Sequence, residues 1–217
     1  MLNVVCVRTG NKYPFEDVLR LKNMVDRHLM RPFRFVCITD RPVSHTGVEC
    51  VDIASTGLRG WWGKMTIFNR AVMPEGRLLY FDLDTVITGD LAPLADWSGR
   101  FGICANFTRA AGHPKYPCKY GSCVMSIGPD FGQLLWDTFY LNGQVNGIIS
   151  RNPYGDQQAI EWLYPQAALL QEHLPKGYFL GYRDLKLKKP ESAAVVVFGG
   201  ASKPNNCTVP WVREEWR

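Results

Sequence analysis

Residues 78–84 read LLYFDLD, and no other stretch limits the fold as tightly. Leu78, Leu79, Tyr80 and Phe81 run without a polar break into two carboxylates, Asp82 and Asp84, with one residue between them. A short continuous apolar run is the pattern of a strand buried on both faces, as in a parallel α/β sheet. Such a strand delivers the residues at its end to the crevice outside the carboxyl ends of the strands, where open α/β sheets bind ligands. Charge is costly to bury unless it is paired or coordinates a metal. Two carboxylates at that place therefore point to a hard divalent cation, Mn²⁺ or Mg²⁺, which takes oxygen ligands and often holds substrate phosphates as well.

The flanking pattern agrees with such a sheet. Residues 4–7 and 35–38 are short apolar runs rich in β-branched side chains. Between them Phe15, Val18, Leu21, Val25 and Leu29 recur at helical spacing, with Glu16 and Asp17 in the first turn. Strand, helix, strand in that order predicts a parallel pair with a crossover helix. Residues 64–72 read as a second helix, stopped by Pro74-Glu75-Gly76. Further strands are expected at 102–105, 123–127 and 194–198, and helices at 131–141 and 156–163. Residues 108–121 (TRAAGHPKYPCKYG) carry Gly, Pro and basic residues without periodicity and read as a long loop, of the kind that is usually either functional or disordered. No repeat or composition break divides the chain, so residues 1–217 are expected to form one α/β domain.

Partners are bounded by charge and cysteine usage. The net charge of +5 is mild. The one dense basic stretch, residues 183–189 (RDLKLKK), is too short to argue for nucleic acid. It reads as a solvated face, and a phosphate-bearing small molecule or peripheral contact with an anionic membrane surface fits the mild positive charge equally well. The seven cysteines include no C-x-x-C pair, which disfavours zinc. Cys6, Cys37 and Cys104 lie in apolar strand-like runs and read as small buried hydrophobes, a usage that suits a reducing compartment. The chain enters a strand at once, and no apolar run reaches the roughly 18 residues of a membrane span. The expectation is a cytoplasmic protein without a signal peptide.

Two chemistries compete for the acidic pair. FDLDTV also matches the first motif of haloacid-dehalogenase-type phosphatases, with one Asp as nucleophile and the next as acid/base. Those enzymes usually carry it on their first strand and need a later acidic pair. Here a strand–helix–strand unit precedes it, and the candidate partner, residues 155–160 (GDQQAI), has Ile160 in place of a second Asp.

Several further segments stand in a telling order: RTGNKYP at 8–14, GWWGK at 60–64, YFDLDTVITGDL at 80–91, YGSCVMSIG at 120–128, YGDQQAI at 154–160 and VVVFGGASKP at 195–204. Together they resemble the glycosyltransferase family 8 group, nucleotide-sugar-dependent enzymes of the GT-A fold, over most of the chain. The resemblance implies a Rossmann-like domain with a central mixed, mostly parallel sheet flanked by helices. It implies transfer of a sugar from a UDP-sugar to an acceptor hydroxyl, with retention. It places Mn²⁺ or Mg²⁺ on Asp82 and Asp84. Thr9, Gly10, Tyr13 and Asp40 would hold the nucleoside, with Tyr13 stacked on the base. Lys64, Gly200 and Lys203 would hold the diphosphate side. Asp156 and Gln157 would be the catalytic residues facing the sugar and the reacting carbon.

Each residue also has a plainer reading: a turn at Gly10, a helix cap at Asp156, a surface lysine at Lys203. Trp61 and Trp62 serve either the core or an acceptor platform. The acceptor is expected over the 108–121 loop and the C-terminal tail, where Trp211 and Trp216 stand. Two departures matter. The family's metal-binding histidine is replaced by Gly199, and its sugar-binding asparagine by Gly121 or Ser122. They leave open a non-catalytic relative that binds a sugar nucleotide without turning it over.

Overall fold

The computed structural model describes residues 1–107, 118–141, 145–185 and 188–217. Residues 108–117 of the expected loop, and residues 186–187 of the basic stretch, lie outside the described residues.

The strand–helix–strand unit forms as expected: β1 (Leu2–Arg8), α1 (Phe15–His28) and β2 (Arg34–Thr39), with β1 and β2 parallel and in register. Val18, Leu21, Met24 and Val25 make the buried stripe of α1. Acidic residues in its first turn and basic ones in its last complement the helix dipole. β3 (Glu49–Asp52) adds to the edge of β2. β4 (Arg77–Phe81) is the strand of the LLYFDLD motif, and β5 (Thr85–Ile87) continues beyond the acidic pair. Then come α2 (Ala92–Asp96), β6 (Phe101–Ala105), β7 (Tyr120–Ile127), α3 (Gln133–Trp136), α4 (Val145–Arg151) and α5 (Asp156–Leu163). β8 (Ala168–Leu169), α6 (Leu170–His173), β9 (Phe179–Gly181), β10 (Val195–Val197) and α7 (Pro210–Glu215) complete the chain.

The main sheet has seven strands in the order β3-β2-β1-β4-β7-β6-β8, mixed but mostly parallel, with β7 antiparallel to both neighbours. Both faces are covered, so side chains alternate between two cores. Val4, Cys6, Phe35, Cys37, Leu79 and Phe81 pack under α1 and the C-terminal elements. Val5, Val36, Ile38, Leu78 and Tyr80 pack under the helical segments between residues 60 and 163. This is why β4 has no polar alternation. A second, three-stranded sheet, β5-β10-β9, stands beside the first.

The helix expected over 64–72 is instead a 3₁₀ segment, Gly60–Phe68. Its residues 63–68 are all buried, so the apolar spacing reflects burial all round rather than one helical face. Gly63 also lets it press on β1, since a Cβ there would come within 2.9 Å of Thr9 Cγ2. No helix among the described residues is long and apolar enough to cross a membrane.

Candidate functional site

β1, β2 and β4 run parallel, so the residues just beyond them gather along one edge of the sheet. These are Thr9 and Gly10, Asp40, and the Asp82–Asp84 pair. Asp82, Leu83 and Asp84 form the turn between the two sheets: Asp82 N–H donates to Cys123 O at 2.9 Å, and Thr85 N–H to Asp82 O at 3.1 Å. Leu83 buries into the core beneath, and the two carboxylates enter different networks.

The Asp82 network is centred on Lys64, whose side chain is only 6% exposed. The Lys64 ammonium lies 3.0 Å from Asp82 Oδ1 and 3.2 Å from Asp156 Oδ2. It donates to Ser122 Oγ at 3.0 Å and Ser122 O at 3.2 Å, and sits 5.1 Å from the Tyr80 ring centre. Tyr80 O–H donates to Asp82 Oδ1 at 2.5 Å. Burial alone disfavours the ammonium, but Asp156 and Asp82 outweigh it and hold the Lys64 pKa above its ordinary value. Burial likewise pushes the Asp82 carboxyl up; Lys64 opposes this, while Asp84 and Asp156 add to it. The Asp82 side chain nonetheless opens to solvent over 31% of its surface, along the cleft.

This raised lysine makes stability depend on pH. A cation whose folded pKa is raised contributes stability in full below its unfolded value, about 10.4 for lysine, and loses it as pH rises through the folded pKa. Removing Lys64 leaves the same unpaired carboxylates that its deprotonation leaves. The stability gap between wild type and Lys64→Met, measured by chemical denaturation, is therefore constant from neutral pH to about 10 and narrows above that. A gap that widens with alkalinity contradicts the ion-pair reading.

The Asp84 network lies toward β1. Tyr13 O–H donates to Asp84 Oδ2 at 3.1 Å, and the Lys203 ammonium pairs with the same oxygen. Burial, then the Asp84 and Asp82 charges, raise the Tyr13 pKa, so the phenol stays a donor. Lys203 is brought back to the site because β10 pairs antiparallel with β5, directly after the acidic turn. The loop beyond β1 is pinned in turn. Gly10 takes φ +61°, and its N–H donates to both Asp40 oxygens at 3.0 and 3.1 Å. Thr9 O–H donates to Gly60 O at 2.8 Å, and the buried Arg8 donates to Tyr13 O at 3.2 Å.

A cleft of about 170 Å³ opens between the acidic turn and β10. Asp82, Ser122, Cys123 and Gln157 line one side, and Tyr182, Phe198 and Gly199 the other. Tyr182 and Phe198 stack with centres 4.1 Å apart. Gly200 takes φ +66°, and the Arg183 guanidinium fills the space that a side chain there would need.

The structure thus brings Lys64, Asp82, Ser122, Asp156 and Gln157 together, and Tyr13, Asp84 and Lys203 beside them. Some plainer readings change. Asp156 does not cap its helix: Gly155 is the N-cap, and no side-chain cap bond forms. The Asp156 carboxylate, buried and turned to Lys64, positions that lysine instead, while Gln157 faces the cleft. Trp62 packs on Phe139, whereas Trp61 is 58% exposed and lies over Gly155. Trp211 is buried and Trp216 stacks under Arg20, so neither is an acceptor platform. Tyr80, Tyr182 and Phe198 were legible only as strand or loop aromatics, because nothing local marks a residue that acts across the fold.

The acidic turn offers oxygens to a divalent ion. Asp82 Oδ2 and Asp84 Oδ1 make no hydrogen bond among the described residues. Among those residues, no three His, Cys, Asp or Glu side chains converge where a metal ion could sit. Two hard carboxylate oxygens fit Mn²⁺ or Mg²⁺ arriving with nucleotide oxygens and water, not a metal caged by protein alone.

No family model matches the sequence, and no curated protein matches it by sequence. Solved structures do match in shape. Galactosyltransferase LgtC, in complex with donor and acceptor sugar analogs, superposes with TM-score 0.64 at 14% identity, over 98% of this chain and 93% of that one. Glycosyltransferase GlyE of Streptococcus pneumoniae gives 0.68 at 15% identity, over all of this chain but 60% of that one. Mouse xyloside xylosyltransferase 1 gives 0.52 at 13% identity, over 96% and 98%. The shared architecture is the GT-A fold, as the sequence implied.

Proposed function

We propose that this chain is a metal-dependent glycosyltransferase, moving a hexose from a UDP-sugar to an acceptor hydroxyl with retention. The observation that carries the reading is the pair of lysine–carboxylate networks at the end of β4. Each Asp of the D-x-D motif holds one lysine and keeps a second oxygen available. A diphosphate with its cation suits that arrangement, because phosphate oxygens would take over the lysines while the ion takes the carboxylates.

Asp82 and Asp84 would hold Mn²⁺ or Mg²⁺, which when bound offsets the negative charge that builds on the leaving diphosphate. Lys64 and Lys203 bind the diphosphate and orient it; Gly200 keeps the loop clear beside Lys203. Tyr13 donates to Asp84, and the Lys12 ammonium lies 4.9 Å from its ring centre; a base that takes over this ring would gain about 1–3 kcal/mol from stacking. Thr9, Gly10 and Asp40 fix the loop on which the nucleoside would rest. Gln157 faces the sugar from the N-terminal turn of α5. Likeness to glycosyltransferases and the order of motifs support this reading; the donor, the metal and the stereochemistry are its claims.

The experiment is release of UDP from UDP-glucose, UDP-galactose and UDP-N-acetylglucosamine, with Mn²⁺ and with EDTA. Mn²⁺-dependent release from at least one donor is expected; no release from any contradicts the activity and favours a non-catalytic relative. A variant sharpens the metal claim. A Cβ at Gly199 would meet nothing within 4 Å, so the backbone there admits a side chain. Gly199→His is expected to tighten Mn²⁺ about tenfold, read by manganese spin resonance with UDP present. Unchanged affinity would place the ion away from Gly199.

A further inference from the structure

A second cavity, of about 420 Å³, lies between α4 and α5, next to the donor cleft. Its lining includes Cys118, Ile148, Arg151, Asn152, Gln158, Glu161 and Trp162. That volume falls in the range of small-molecule sites, roughly 300–1,000 Å³. Trp162 is 56% exposed and has no ring partner among the described residues. The polar groups around it are held in place. Lys119 N–H donates to Glu161 Oε2 at 2.8 Å, Asn152 donates to Ile148 O at 2.7 Å, and Tyr154 N–H donates to Gln158 Oε1 at 3.2 Å. These bonds leave Glu161 Oε1, the Gln158 amide N–H groups and the Arg151 guanidinium for a ligand. Arg151 forms no ion pair among the described residues, and Glu161 balances its charge within the cavity.

Such a lining suits one ligand chemistry. A pyranose presents an apolar face of C–H groups and a rim of hydroxyls that both donate and accept. An indole can cover the face, and the anchored amides and carboxylate, with the exposed Arg151 guanidinium, can serve the rim. The balanced charge favours a neutral ligand over a phosphate.

The position is equally specific. Gln157 Nε2 contacts Cys118 Sγ at 3.4 Å; Gln157 lines the donor cleft and Cys118 lines this cavity. One side-chain contact separates the two. We infer that this cavity is a glycan subsite, binding the residues of a neutral oligosaccharide acceptor that extend beyond its reacting end. The inference deepens the glycosyltransferase reading and rests on it for the word acceptor. It also moves the acceptor away from the C-terminal tail, where Trp211 is buried and Arg20 lies over the Trp216 ring.

The test is saturation-transfer NMR on the full chain with lactose, cellobiose, maltotriose and chitotriose as probes, for wild type, Trp162→Ala and Arg151→Ala. Both substitutions are at solvent-facing helix positions, and circular dichroism checks that the fold is kept. At least one probe is expected to bind wild type, about tenfold weaker to Trp162→Ala and measurably weaker to Arg151→Ala. No signal from any of the four probes, or equal signals from wild type and Trp162→Ala, overturns the subsite. UDP binding, measured separately on the wild type, reports on the donor reading. Glycan binding lost with Trp162 supports the subsite even where UDP fails to bind, and UDP binding without glycan binding refutes the subsite alone.

Discussion

Asp84→Asn lowers turnover of the UDP-sugar donor by on the order of 10²–10³-fold while the protein stays folded. Asparagine has the shape of aspartate, and its amide oxygen still accepts from Tyr13 O–H, which approaches Asp84 Oδ2 to 3.1 Å. What disappears is the negative charge that pairs with Lys203 and would hold the cation. Lys203 is partly exposed, with 19% of its side chain open to solvent, so water takes over its solvation and little stability is lost. The expected signature is therefore a fall in kcat with a melting temperature within a few degrees of wild type. Unchanged turnover would sink the assignment of Asp84 to the metal. Loss of folding would mean the Lys203 pair serves structure first.

Lys64→Met acts the other way, on stability first. Lys64 is 5% exposed and stands between Asp82 and Asp156. Removing the cation leaves two carboxylates facing each other with no ion-pair partner in the cluster. Breaking a buried pair in this manner costs about 3–5 kcal/mol. For a chain of this size that lowers Tm by on the order of 10 °C. Adding Asp156→Asn to Lys64→Met removes one of the stranded charges and is expected to restore part of the loss. A double variant no more stable than Lys64→Met would show that Asp156 and Lys64 are not coupled. On the proposed reading, donor turnover also falls with Lys64→Met at every temperature where it is folded, because the same ammonium would orient the diphosphate.

The sheet was legible because burial on two faces writes itself into sequence as unbroken apolar runs, as at β1, β2 and β4. The acidic turn was legible because Asp82 and Asp84 interrupt such a run abruptly. Short strands were not. β5, β8 and β9 span three, two and three residues, too few for periodicity to register, and pairing partners far along the chain define them. The stretch 64–72 misled because the unbroken burial of residues 63–68 imitates the apolar face of an amphipathic helix. At the site, residue types and order pointed to Lys64, Lys203 and the acidic pair. Their partnerships were not visible. Lys64 meets Ser122 across 58 positions of chain, and Tyr13 meets Asp84 across 71. Trp211 illustrates the same limit from the other side, since sequence does not say which aromatic a fold will bury.

The measurement closest to the central claim is calorimetric titration of UDP into the purified chain, once with Mn²⁺ and once with EDTA. The account predicts binding with Mn²⁺ that weakens at least about tenfold in EDTA, a difference of about 1.4 kcal/mol or more. Equal affinity in both would contradict the metal's place on Asp82 and Asp84 and leave the diphosphate to Lys64 and Lys203 alone. No binding in either would contradict the nucleotide site itself.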